Sequence, residues 1–148
     1  MRSLGISLRP EGFTYALVEG TGKKHALKAA GGEDCFNQGQ DASSALGRAI
    51  ASSLKQVGKV DRAVLSLPST GAVLREISLP FNERDKVEQV LKFEIESDLY
   101  HIDVEEVVCD FLELHDERAT TNLLVGALPK VHVGAALKAA EQGGVDAS

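Results

Sequence analysis

The chain has 148 residues, enough for one domain or two small lobes with a sizeable core. Its formal charge is −6 and its basic residues are scattered, with Lys23-Lys24 as the one adjacent basic pair, which argues against phosphate-backbone binding and nucleic-acid partners. Hydrophobic residues at 43% and charged residues at 26% are an ordinary soluble balance, and with Trp absent the core must be built on Val, Leu, Ile and Ala.

Residues 3–8 read as a first strand, and Arg9-Pro10-Glu11-Gly12 as a turn, because Pro presets one dihedral and Gly permits a positive φ. Phe13–Val18 alternates and is rich in β-formers, so it reads as a second strand, closed by Gly20-Thr21-Gly22. A weaker third strand runs from Lys23 to Ala30, with His25, Leu27 and Ala29 on one face. A polar loop over 31–40 leads to Asp41, a short carboxylate suited to cap a helix. Leu46, Ala49, Ile50, Leu54 and Val57 then fall at helical spacing, and Gly58 supplies the stop. Residues 62–68 form a fourth strand. Its crossover helix lets it return parallel to the first, a β-β-β-α-β order that fits a ribonuclease-H-like layer.

Pro68-Ser69-Thr70-Gly71 is a candidate boundary, giving a first lobe over 1–70, a second over 71–144 and a tail over 145–148. Val73–Leu79 is a strand that Pro80 ends. Asn82 is the expected N-cap of a helix reaching Leu99, with Asp85 completing an approximate capping box. Val87, Val90, Leu91, Ile95 and Leu99 make its apolar stripe, flanked by Phe93. Two strands follow, over 104–113 and 120–128, joined by a turn carrying His115 and Arg118. Pro129 opens a last helix with Val131, Val133, Ala136, Leu137 and Ala140 as its apolar positions, and Gly143-Gly144 ends it. The second lobe is therefore β-α-β-β-α, and 145–148 reads as the start of a further strand.

No constellation points to catalysis. Residues 94–118 hold ten carboxylates and one Arg, which general acid/base or divalent-metal chemistry could use, but their spacing matches no calcium loop. A solvated acidic face, or a docking face for a basic tail, accounts for them better. Glu94 borders the apolar stripe and needs a partner if buried. The four histidines show no ligand spacing, and Gly20-Thr21-Gly22-Lys23 is only a fragment of a phosphate loop. No metal and no cofactor is expected. Cys35 and Cys109 are far apart and read as free thiols of a reducing compartment. The N-terminus lacks a signal-peptide pattern, and no apolar run approaches the ~18 residues of a membrane span. The expectation is a cytoplasmic protein that does not insert directly into a membrane.

Three segments together resemble the actin-like proteins of bacterial secretion and pilus assembly. These are the PilM-type pilus proteins and the cytoplasmic domain of the type II secretion L protein (GspL), with the cell-division protein FtsA as a more distant relative. The first segment is Leu4-Gly5-Ile6-Ser7-Leu8 followed by 13–19. The second is Ile77-Ser78-Leu79-Pro80, its helix with Phe93-Glu94-Ile95-Glu96, and the strand from Val104 to Phe111. The third is 123–129, its helix and Gly143-Gly144-Val145-Asp146. The resemblance implies an actin-like first lobe with a small inserted interaction lobe. It also implies a membrane-anchored platform protein and a hexameric secretion ATPase as partners, with a homodimer as a further option, and a place beside the inner membrane through those partners.

ATP-binding relatives carry an acidic residue and a small polar loop after the first strand. Here Ser7 stands at the expected acidic position and Arg9-Pro10-Glu11-Gly12 replaces the loop, so Mg²⁺ would lack its carboxylate. Where the family usually has Pro after the helix, this chain has Tyr100. The expectation is a non-catalytic scaffold whose partner contacts are Glu94, Leu99, Tyr100 and Ile102. A nucleotide-binding ATPase or kinase fragment and an FtsA-like filament protein are the alternatives.

Overall fold

The computed structural model describes residues 1–35, 42–55, 57–99, 102–117 and 120–146. The chain divides into two compact units, Met1–Pro68 with Val133–Ser148, and Ser69–His132. The Asp41 cap, Tyr100 and Arg118 lie outside the described residues.

In the first unit a four-stranded sheet has the order β3-β2-β1-β4. β1 (Arg2–Arg9), β2 (Gly12–Thr21) and β3 (Lys24–Asp34) form an antiparallel meander, and β4 (Arg62–Ser66) returns parallel to β1 after α1 (Ala42–Leu54). β1 alternates strictly: Leu4, Ile6 and Leu8 are buried while Gly5 and Ser7 are exposed. The buried row meets Phe13 and Leu17 of β2 and Ile50 of α1. Arg2 ties the loop after α1 to the first strand: its guanidinium donates to the Val57 and Lys59 carbonyls at 2.6 and 3.1 Å, and its backbone N–H donates to Asp61 at 2.7 Å.

β3 runs past Ala30 because two glycines let it lie close to β2. A Cβ at Gly32 would stand 2.5 Å from the Phe13 carbonyl oxygen. The loop expected from Gly31 is therefore strand as far as Asp34.

In the second unit a three-stranded antiparallel sheet has the order β5-β7-β6, with β5 (Val73–Leu79), β6 (Val107–Glu117) and β7 (Thr120–Pro129). One face is covered by α2 (Arg84–Glu96), whose Val87, Leu91 and Ile95 pack with Leu79, Leu123 and Val125. The cap of α2 differs from expectation. Glu83, not Asn82, precedes the helix and makes no side-chain cap, while Lys86 pairs with Glu83 at 2.8 Å. α2 also stops at Glu96 rather than Leu99. β6 begins late because Asp103 accepts from the Glu105 N–H at 2.9 Å and caps a 3-10 turn over Val104–Glu106.

α3 (Lys130–Gln142) belongs to the first unit from Val133 onward, where the sequence placed 71–144 together in the second lobe. Its buried positions are Ala136, Ala139 and Ala140, and the expected stripe residues Val131 and Leu137 are exposed. Small residues let the helix approach the first unit's core, in which Ala136, Ala140 and Val145 take part. Gly144, at φ +76°, ends the helix. Its N–H donates to the Glu141 carbonyl and the Val145 N–H reaches back to the Ala140 carbonyl, both at 2.9 Å. Val145 and Asp146 are accordingly a helix terminus, not the strand start expected there.

Candidate docking site

The end of α2 and the turn after it form a built surface. Overlapping backbone bonds shape the turn: Asp98 N–H to the Ile95 carbonyl at 2.9 Å, Leu99 to Glu96 at 3.2 Å and Ile102 to Leu99 at 2.8 Å. The Leu99 side chain is 2% exposed and anchors the turn in the second unit's core. Arg75 of β5 clamps Asp98 at 2.9 Å, and Lys92 holds Glu105 at 3.1 Å, so both ends of the turn are tied to neighbouring elements.

On this scaffold Glu94 is exposed and Ile102 is 37% exposed. Glu94 needs no buried partner, since it reaches solvent at the edge of the stripe. Of the four residues expected to contact a partner, Glu94 and Ile102 are therefore accessible, Leu99 is a core anchor, and Tyr100 lies outside the described residues. Sequence reasoning underrated Phe93. It does not flank the stripe but points away from the core, 73% exposed. The signal was available, since Phe93 lies two residues from both Leu91 and Ile95, which places it on the far side of a helix.

The acidic run is solvated: Glu94, Glu96, Asp103, Glu105, Glu106, Asp110 and Glu113 are all exposed. Among the described residues no group of three or more His, Cys, Asp or Glu could hold a metal ion. Burial raises the pKa of the Cys35 thiol, and nearby Glu33 and Asp34 add to it. Burial also raises Cys109, while Lys92 pulls the other way. Neither thiol has the lowered pKa of an activated nucleophile.

At the first sheet's end, Arg9-Pro10-Glu11-Gly12 is a two-residue reversal with Arg9 paired to Gly12 across the hairpin. The Arg9 guanidinium is held by Asp34 at 3.0 Å, and Ser7 sits in register between Thr14 and Ser66. Gly20-Thr21-Gly22-Lys23 is the β2–β3 hairpin, with Gly22 at φ +60°. Among the described residues no helix is long and apolar enough to cross a membrane.

No protein-family model matches the sequence, and no curated protein matches it at a significant level. Solved structures do. A chain of a PilM–PilN type IV pilus biogenesis complex matches 98% of this chain at 25% identity and a TM-score of 0.78. The cytoplasmic domain of EpsL, an inner-membrane component of the type II secretion system of Vibrio cholerae, matches 100% of it at 16% identity and a TM-score of 0.71. The chain spans about half of each, 45% and 56% of their respective lengths. By class, then, the described residues form a mixed α/β chain of two sheets and three helices with the fold of these two structures. At these identities the matches show a fold shared with the EpsL cytoplasmic domain and with a chain of the PilM–PilN complex.

Proposed function

We propose that this chain is a non-catalytic scaffold module of an inner-membrane type IV pilus or type II secretion assembly platform. The observation that carries this is the match to the PilM–PilN complex, which covers 98% of the chain at 25% identity. In that reading 1–70 is an actin-like, ribonuclease-H-like layer, and the second unit is an appended interaction lobe. The scaffold stands on the cytoplasmic side of the inner membrane and reaches it through its partner. That partner is the tail of a membrane-anchored platform protein, docking against Glu94, Ile102 and the turn that Leu99 anchors, with Tyr100 as a further expected contact. The hexameric secretion ATPase is a second partner, and self-association into a homodimer a third contact.

The two-residue turn at Arg9–Gly12 and the hydroxyl of Ser7 support a scaffold over a nucleotide-binding ATPase or kinase. They offer neither a carboxylate for Mg²⁺ nor a loop of free backbone donors for a phosphate. The test is a pull-down with the cytoplasmic tail of the cognate platform protein, alongside calorimetry with Mg-ATP on the full-length protein. Retention of the tail with no ATP binding tighter than millimolar is expected. Micromolar ATP binding with turnover, or no retention of the tail, would overturn the proposal.

A further inference from the structure

α2 covers one face of the second unit's sheet, and the other face breaks the rule for a solvated antiparallel sheet. Outward positions there should be polar. Instead Leu74, Val108 and Leu112 are exposed at 58%, 44% and 63%, and Leu124 and Leu128 lie half-buried beside them on the central strand. The register places them together: Leu112 opposite Leu124, Val108 opposite Leu128, and Leu74 opposite Gly126. Gly126 leaves the middle of the central strand without a side chain, and a Cβ there would meet Leu74 Cδ2 at 3.5 Å.

The charges on this face select the occupant. Glu76 on one edge strand pairs in register with Leu124, and Asp110 on the other edge strand pairs with Gly126. The two carboxylates therefore bracket the apolar row from opposite sides. Both are exposed, and among the described residues neither meets a cation. A second copy placed face to face would bring carboxylates against carboxylates, in a chain whose charge is already −6. A helix with an apolar stripe and basic flanks satisfies both features. It would lie on this face as α2 lies on the opposite one.

We propose that the open face of the β5-β7-β6 sheet docks an amphipathic helical segment of a partner protein, apolar on one side and flanked by lysine or arginine. This surface is separate from the α2 end and does not depend on the function proposed above. The test uses two synthetic amphipathic helical peptides with the same leucine stripe, one flanked by lysine and the other by glutamate. Each is titrated into the isotope-labelled chain and followed by two-dimensional NMR. The lysine peptide is expected to bind saturably and to shift amides around Leu74, Leu112 and Leu124. Leu112→Ser should weaken it about tenfold. Glu76→Lys with Asp110→Lys should weaken the lysine peptide and strengthen the glutamate one, a charge swap that a misfolded variant would not produce. Absence of saturable binding, shifts confined to α2 or to the first unit, or equal binding of both peptides would overturn the proposal. So would a dimer in sedimentation equilibrium that Leu112→Ser dissociates, because the face would then belong to a second copy.

Discussion

Thr121 is the one buried polar side chain in the two cores among the described residues, 2% exposed, and its hydroxyl finds no hydrogen-bond partner among them. A hydroxyl left in that state opposes folding, whereas a methyl of the same shape does not. Valine keeps the β-branch that suits a strand. Thr121→Val should therefore leave stability unchanged or raise it by up to about 1 kcal/mol in urea denaturation. A clear loss would mean that the hydroxyl is bonded. The two thiols make a second prediction. With both pKa values raised by burial, iodoacetamide should modify Cys35 and Cys109 more slowly at neutral pH than it modifies a free thiol. The sign for stability follows. A folded pKa above the unfolded one favours the native state below the ordinary thiol value of about 8.5, and that contribution is lost as pH rises through the raised folded value. Denaturation midpoints at neutral and alkaline pH, compared with those of Cys35→Ser and Cys109→Ser, check it. At this scale the sequence was least informative. It named Leu99 as a contact, yet the helix stops three residues earlier and the turn folds Leu99 into the core.

Among the elements, α2 carries the second unit. Its three buried positions, Val87, Leu91 and Ile95, pack against the inner face of a sheet of three strands, and so small a sheet does not stand alone. Leu91 is 3% exposed. Leu91→Ala should destabilise the unit by about 3 kcal/mol, read from second-unit amide signals in a urea titration. A loss below 1 kcal/mol would mean that the helix packs loosely. Strands were legible where residues alternate and turns are punctuated, as in β1, β2, β5 and β7. The fourth strand's return beside the first was legible because a crossover helix leaves few other arrangements. What stayed hidden depended on partners distant in sequence. β3 extends across glycines because β2 leaves room for it, and Asp103 delays β6 by capping a turn. α3 divides between the units because alanines, weak as a sequence signal, pack closely against the first core.

For the molecule as a whole, charge and surface matter more than any cleft. The chain is acidic, most carboxylates of the described acidic run are solvated, and exposed apolar residues stand on the second unit at Phe93, Ile102 and the open sheet face. That distribution suits a protein whose work is to be bound. The likeness to the pilus and secretion assembly proteins was legible from the order of three weak segments. The exposure of this surface was partly legible: Glu94 and Ile102 are accessible as expected, and the outward Phe93 was readable from its spacing to Leu91 and Ile95. The central claim is that a platform protein's cytoplasmic tail docks at the end of α2. The most direct test is calorimetric titration of that tail into the full-length protein and into its Glu94→Lys/Ile102→Ala variant, with folding of the variant checked by its denaturation midpoint. The account predicts saturable binding that the variant weakens by about tenfold or more at unchanged stability. Equal affinity for the two proteins, or no binding to either, would contradict it.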